Sequence, residues 1–193
     1  MSYSVVEKAK EARPLPLTLR AYRVLLAAAA PLANVLLSHR LKRGKEDPGR
    51  LPERRGEAAV PRPSGPLVWV HGASVGEIIA IIPLVERIVS KKFNVLVTSG
   101  TVGSAKLCKQ RLPAGVIHQF VPWDSPRFIS RFLDHWKPDL ALFTESDLWP
   151  NMIVMGAERR IPLILVNGRL SERSFKRWRY ASATIAALLK RFD

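Results

Sequence analysis

At 193 residues with 47% apolar side chains, the chain is long enough to bury one full core, which excludes wholesale disorder. Its single cysteine, Cys108, excludes an internal disulfide framework and fits a reducing compartment; no Cys or His pair stands at ligand spacing, so no metal site is expected. The formal charge of +15 sits in two flanks: residues 1–62 carry 13 Lys/Arg against 6 Asp/Glu and residues 151–193 carry 9 against 3, leaving +2 for the centre. Such flanks point to a polyanionic partner surface, nucleic acid or an anionic membrane, against the plainer role of solubility.

In chain order, residues 1–14 are polar and charged, without the pattern of a secretory signal. Within Leu15–Leu37, the apolar stretch from Val24 to Leu37 is 14 residues, short of the roughly 20 that span hydrocarbon. It fits a buried core helix or a helix lying in the interface. Arg20 and Arg23 before it, and Arg40, Lys42, Arg43 and Lys45 after it, favour a monotopic anchor on an anionic leaflet, with the cations on the cytoplasmic side. Residues 1–43 therefore read as a basic segment carrying a membrane helix over about 15–37. Residues 44–66, rich in Gly, Pro, Arg and Glu without periodicity, read as an extended linker.

From residue 67 to 193 the pattern becomes that of one α/β domain. Apolar, β-branched runs at Leu67–Val70, Val95–Val97, Val116–Val121, Leu140–Phe143 and Leu163–Val166 predict strands, with helices over about 78–90, 103–111, 126–136 and 150–159. Alternating strands and helices predict a parallel, Rossmann-like sheet covered on both faces. Pro83 is expected to bend the first of these helices or to mark its true start, and residues 174–191 read as a basic amphipathic helix.

In such a sheet ligands bind beyond the carboxyl ends of the strands. Glu77 follows the first strand through the small-residue turn Gly72-Ala73-Ser74-Val75-Gly76, and Glu145 follows the fourth strand in Thr144-Glu145-Ser146-Asp147-Leu148-Trp149-Pro150-Asn151. Two acids at one edge suit acid–base work on a hydroxyl-bearing substrate. The structural alternative for Glu77 is a place in the first turn of a helix. Asp147 is a candidate cap for the helix opening at Pro150. The turns carrying Ser74, Gly76, Thr98 and Thr101 offer backbone N–H groups for a phosphate or sugar, or serve as plain βα turns. Asn167 and Arg169 bring an amide and a guanidinium to the same edge, where a solvated loop is the alternative. His71 reads as a packed group and Cys108 as inert. Neither turn matches the GxGxxG or GxxxxGKS/T fingerprint, which argues against a nucleotide-dependent oxidoreductase.

Six blocks in order carry a resemblance: Leu41-Lys42-Arg43-Gly44-Lys45-Glu46 with Glu53-Arg54-Arg55-Gly56; His71 to Glu77; Thr98-Ser99-Gly100-Thr101; Val121-Pro122-Trp123-Asp124; Glu145 to Asn151; and Asn167 to Ser171. Together they resemble the N-terminal half of the 3-deoxy-D-manno-octulosonic acid (Kdo) transferases, over nearly the whole chain from Leu15. Asp147 departs from the pattern, standing where many relatives have Glu.

The resemblance implies the acceptor-side half of a two-domain GT-B glycosyltransferase, which transfers Kdo from CMP-Kdo to a lipid A precursor with inversion. It implies Glu77 as proton acceptor and Glu145 as transition-state stabiliser. Ser74, Gly76, Thr98, Thr101, Asn167 and Arg169 are then the candidate acceptor-binding residues. No metal and no cofactor is implied, and no nucleic acid partner. The expected location is the cytoplasmic face of a bacterial inner membrane. Family members continue past the position of Asp193 into the donor-binding half, so this polypeptide alone is expected not to transfer Kdo, unless a partner chain supplies that half. A non-catalytic basic α/β module is the competing reading, supported by aromatics interleaved with cations over Ser174–Tyr180.

Overall fold

The computed structural model describes residues 14–144, 148–169, 172 and 178–193. Five parallel strands, β1 (Leu67–His71), β2 (Asn94–Ser99), β3 (Ile117–Phe120), β4 (Leu140–Thr144) and β5 (Leu163–Val166), form one sheet in the order β3-β2-β1-β4-β5. Helices α1 (Leu17–Ala29) and α2 (Ala33–Lys42) precede the sheet. Helices α3 (Val75–Ser90), α4 (Val102–Arg111), α5 (Pro126–Trp136) and α6 (Pro150–Glu158) connect the strands, and α7 (Ser182–Leu189) follows β5. Every expected strand is present. The helix after β1 starts at Val75 and runs unbroken through Pro83, so that proline neither starts nor ends it.

Strand parity explains the two faces. Leu67 and Trp69 of β1 join a core with Phe132, Trp136, Phe143, Met152 and Leu19, so α1, α5 and α6 cover that face. Trp69 packs on Phe132 and Phe143, with ring centroids 5.0 and 5.2 Å away. Val68 and Val70 join Ile78, Ile81, Val85 and Cys108 under α3 and α4. All five residues of β1 are buried, as a central parallel strand requires. Because the chain leaves β1 toward β2 and returns through β4 on its other side, β1 and β4 flank the topological switch point of the sheet.

Residues 44–66 correct the expectation of an extended linker. Pro48–Arg55 forms a 3₁₀ helix capped by Asp47 and closed by Gly56 at φ +77°. A Cβ at Gly56 would stand 2.1 Å from the Phe128 carbonyl oxygen, so no other residue fits there. This helix completes the open edge of β3 with side chains. Glu53 accepts the Phe120 N–H at 2.6 Å, and Arg50 donates to the His118 carbonyl at 3.0 Å. Arg54, with 2% exposure, donates to Glu46 at 2.8 Å, to the Val121 carbonyl at 3.2 Å and to the Gly100 carbonyl at 2.7 Å. Glu46, Arg50, Glu53 and Arg54 are thus paired with each other and with backbone groups at the ends of β2 and β3.

Candidate functional site at the switch point

Glu77 is the third residue of α3. Ser74 caps the helix, its Oγ accepting the Glu77 N–H at 3.3 Å. The Glu77 carboxylate folds back over the helix start, where Oε2 accepts the Ala73 N–H at 2.9 Å. The Ser-x-x-Glu spacing is a capping-box pattern displaced by one residue, so the structural alternative for Glu77 holds for one of its oxygens. From across the switch point the Thr144 hydroxyl lies 3.2 Å from the same Oε2 and 2.9 Å from the His71 carbonyl oxygen. Oε1 has no hydrogen-bond partner among the described residues. Glu77 is 7% exposed, so its side chain is buried at the carboxyl ends of β1 and β4.

The loop that holds it is fixed by backbone approach. The Gly100 N–H donates to the Ala73 carbonyl at 3.0 Å, and a Cβ on Gly100 would stand 2.7 Å from that oxygen. Arg54 in turn holds the Gly100 carbonyl. The buried Arg54 side chain therefore leads through one side-chain bond to Gly100 and one backbone bond from Gly100 to Ala73, the residue whose N–H holds Glu77.

The remaining candidates fall into three groups. Ser74, Gly76 and Thr101 are exposed on the crevice rim, though the Ser74 and Thr101 hydroxyls also cap α3 and α4. Asn167 and Arg169 are exposed beyond β5, at the same sheet edge and two strands from β1. Thr98 is a correction. It is fully buried, and its Oγ1 lies 2.9 Å from both Trp69 Nε1 and His71 Nδ1, inside the core beneath the crevice, where no acceptor reaches it. Glu145 and Asp147 lie outside the described residues, as do 170–171 and 173–177. Thr144, the residue before Glu145, touches Glu77 and brings the end of β4 to the same crevice.

Burial shifts the titration of His71, Cys108 and Asp124 away from the ordinary values. Burial pushes the His71 imidazole down to about 4, against the nearby Glu77 charge, so it is neutral near pH 7. Burial likewise pushes the Cys108 thiol up to about 12, which leaves it inert. The start of α6 is capped by Asp124 from a distant loop, which accepts the Asn151 and Met152 N–H groups at 2.9 Å each and the Tyr22 hydroxyl at 2.9 Å. Burial raises that carboxyl to about 7 against these donors. Asp124 thus ties α1 to α6. In the sequence Asp124 and Thr144 appear only as members of motifs, without a role of their own, because their roles depend on contacts between segments far apart in the chain.

Comparison with known proteins fits this geometry. The family model described as 3-deoxy-D-manno-octulosonic-acid transferase (kdotransferase) matches residues 49–193. A probable mitochondrial 3-deoxy-D-manno-octulosonic acid transferase of Arabidopsis thaliana is 43% identical over 161 residues, covering 82% of this chain and 36% of its own length. The 3-deoxy-D-manno-octulosonic acid transferase of Rickettsia bellii is 39% identical over 178 residues, 91% of this chain and 42% of its own. That of Haemophilus influenzae is 37% identical over 134 residues, 67% and 31% respectively. The chain thus spans less than half the length of these curated relatives. With three quarters of its residues inside the family's N-terminal region and Glu77 at the switch point of its sheet, the chain belongs to the 3-deoxy-D-manno-octulosonic acid transferase family of glycosyltransferases.

Proposed function

We propose that this chain is the acceptor-side half of a GT-B glycosyltransferase that moves Kdo from CMP-Kdo to a lipid A precursor, with Glu77 as general base. The observation that carries the reading is the asymmetry of the Glu77 carboxylate: Oε2 is held by Ala73 and Thr144, and Oε1 is without a partner among the described residues. A sugar hydroxyl is a poor nucleophile. As its oxygen forms the bond to the anomeric carbon of Kdo, its proton passes to Oε1, and CMP departs with the electrons of the broken bond. Attack opposite the leaving group inverts the anomeric centre. CMP is a stabilised leaving group, so the proposed step calls on neither a strong acid nor a cofactor. Glu145, next in sequence to Thr144, is the proposed transition-state stabiliser. Ser74, Gly76, Thr101, Asn167 and Arg169 are the proposed acceptor contacts. The donor site is assigned to a further domain, in the same polypeptide or a partner chain.

The same reading places the domain on the cytoplasmic face of the bacterial inner membrane. Helices α1 and α2, joined by the 3₁₀ turn Ala30–Leu32, run 26 residues from Leu17 to Lys42 and pass by length and composition as a span. Support for an in-plane position comes from their packing. Leu19, Ala33 and Leu37 are buried against the domain, Tyr22 bonds Asp124, and Arg23 pairs with Glu158 at 2.7 Å. The outer side exposes Leu17, Val24, Leu25, Leu32, Val35 and Leu36, with Leu25 66% and Val35 68% exposed. An apolar side flanked by cations suits an anionic leaflet carrying a phosphorylated acceptor. Flotation with vesicles of phosphatidylglycerol and lipid A precursor tests this. Leu25→Glu with Val35→Glu is expected to weaken vesicle binding more than tenfold, since each buried aliphatic side chain contributes about 1.5–3 kcal/mol. Unchanged flotation of the double variant contradicts the membrane assignment.

A further inference from the structure

We propose that Thr144 is a positioning residue for Glu77, selecting which carboxylate oxygen receives the substrate proton. The proposal rests on the reading of Glu77 as the base and deepens it. Thr144 ends β4 and is 3% exposed. The last register pair between β4 and β1 is Phe143 with His71, so Thr144 lies one step beyond the β1 ladder, and its side chain reaches the strand-end carbonyl of His71. Its hydroxyl is confined there. The Oγ1 atom lies 3.4 Å from where a Cβ on Gly72 would stand, with Glu77 Cβ 3.3 Å from the same point.

A threonine hydroxyl has one proton, and here it faces two acceptors, the His71 carbonyl at 2.9 Å and Glu77 Oε2 at 3.2 Å. While Glu77 is ionised, donation to Oε2 is charge-assisted and adds to the Ala73 N–H on the same oxygen. Two donors on Oε2 fix the plane of the carboxylate and leave Oε1 without a partner among the described residues. Once Oε1 is protonated, the carboxyl is a weaker acceptor, and the hydroxyl turns to the His71 carbonyl without leaving a buried donor unpaired. The Thr144 proton therefore follows the charge on Glu77, with no other side chain required to move.

The titratable group near Glu77 from β1 is His71, coupled to it electrostatically and held neutral by burial; Thr144, its contact from β4, and Thr98, which bonds His71 from β2, carry no charge. The Thr144 hydroxyl is thus the adjustable partner of Glu77 among the described residues.

The test is a carboxyl ¹³C NMR titration of this chain, with the Glu77 resonance identified by its loss in Glu77→Gln. Thr144→Val removes a donor to the anion and is expected to move the Glu77 titration midpoint upward by about one pH unit. Thr144→Ser restores the wild-type midpoint, because it keeps the hydroxyl and loses only a methyl. Thr144→Ala serves as a second hydroxyl-free variant should valine disturb the fold. An unchanged midpoint in folded Thr144→Val or Thr144→Ala overturns the proposal, as does an equal shift in Thr144→Ser. A shift confined to the hydroxyl-free variants supports it. If that shift occurs while Glu77→Gln leaves Kdo transfer intact, the positioning contact stands and the reading of Glu77 as base fails.

Discussion

Glu77→Gln is expected to lower Kdo transfer by about 10²–10⁴-fold while leaving the fold in place. Glutamine keeps the shape and one carbonyl-type oxygen. That oxygen can accept the Ala73 N–H at 2.9 Å and the Thr144 hydroxyl at 3.2 Å, so the start of α3 stays closed. What is lost is the second oxygen as a proton acceptor, because an amide NH₂ in its place cannot take the acceptor hydroxyl's proton. The expected change in stability is under about 1 kcal/mol, the scale of a helix-cap contact. The measurement is the transfer rate of the domain joined to the remaining part of a relative such as the Rickettsia bellii transferase, with thermal melting of both forms as control. The competing view, a basic binding module without chemistry, requires Glu77→Gln to be neutral. Transfer within a few fold of wild type supports that view.

Arg54→Met is expected to cost about 3–5 kcal/mol, the price of breaking a buried ion pair from one side. Arg54 has its guanidinium 4.4 Å from the centre of the Phe120 ring, and its nitrogens serve Glu46, the Val121 carbonyl and the Gly100 carbonyl. Methionine fills part of the volume and satisfies none of these acceptors. Glu46, 5% exposed, would keep among the described residues only Arg40, which bonds it at 2.6 Å from a more exposed position. For a domain of this size the melting temperature should fall by roughly 10 °C. Adding Glu46→Leu should recover part of the loss, because the double variant removes the stranded carboxylate. A melting temperature unchanged by Arg54→Met would mean that the segment over 44–66 is not locked to the sheet as described.

The sheet was legible because a parallel strand buried on both faces is a continuous apolar run, and five such runs stand out from Leu67 onward. The place of Glu77 in the first turn of α3, at the end of β1, was legible because an acid just after a strand in a small-residue turn has few places to go. Thr98 misled for a reason the alternation already contained. It shares a sheet face with Leu96, so it points into the layer under α5 and α6 and not along the edge. The segment over 44–66 misled through composition: Glu46, Glu53 and Arg54 look solvated until their partners are known, and those include strand atoms at 118–121. Thr144 and Asp124 stood inside motifs of the sequence, yet nothing local gave either a role. One acts on a residue 67 positions away and the other caps a helix 27 positions away, distances that only the β1–β4 pairing and the packing of α6 bring to contact.

The most direct measurement is a crystal structure of this domain with the phosphorylated glucosamine disaccharide of a lipid A precursor bound. The account predicts the accepting hydroxyl about 2.6–3.2 Å from Glu77 Oε1, with Oε2 still held by Ala73 and Thr144. A disaccharide seated away from the ends of β1 and β4, or an Oε1 covered by protein with no sugar oxygen in reach, would contradict it.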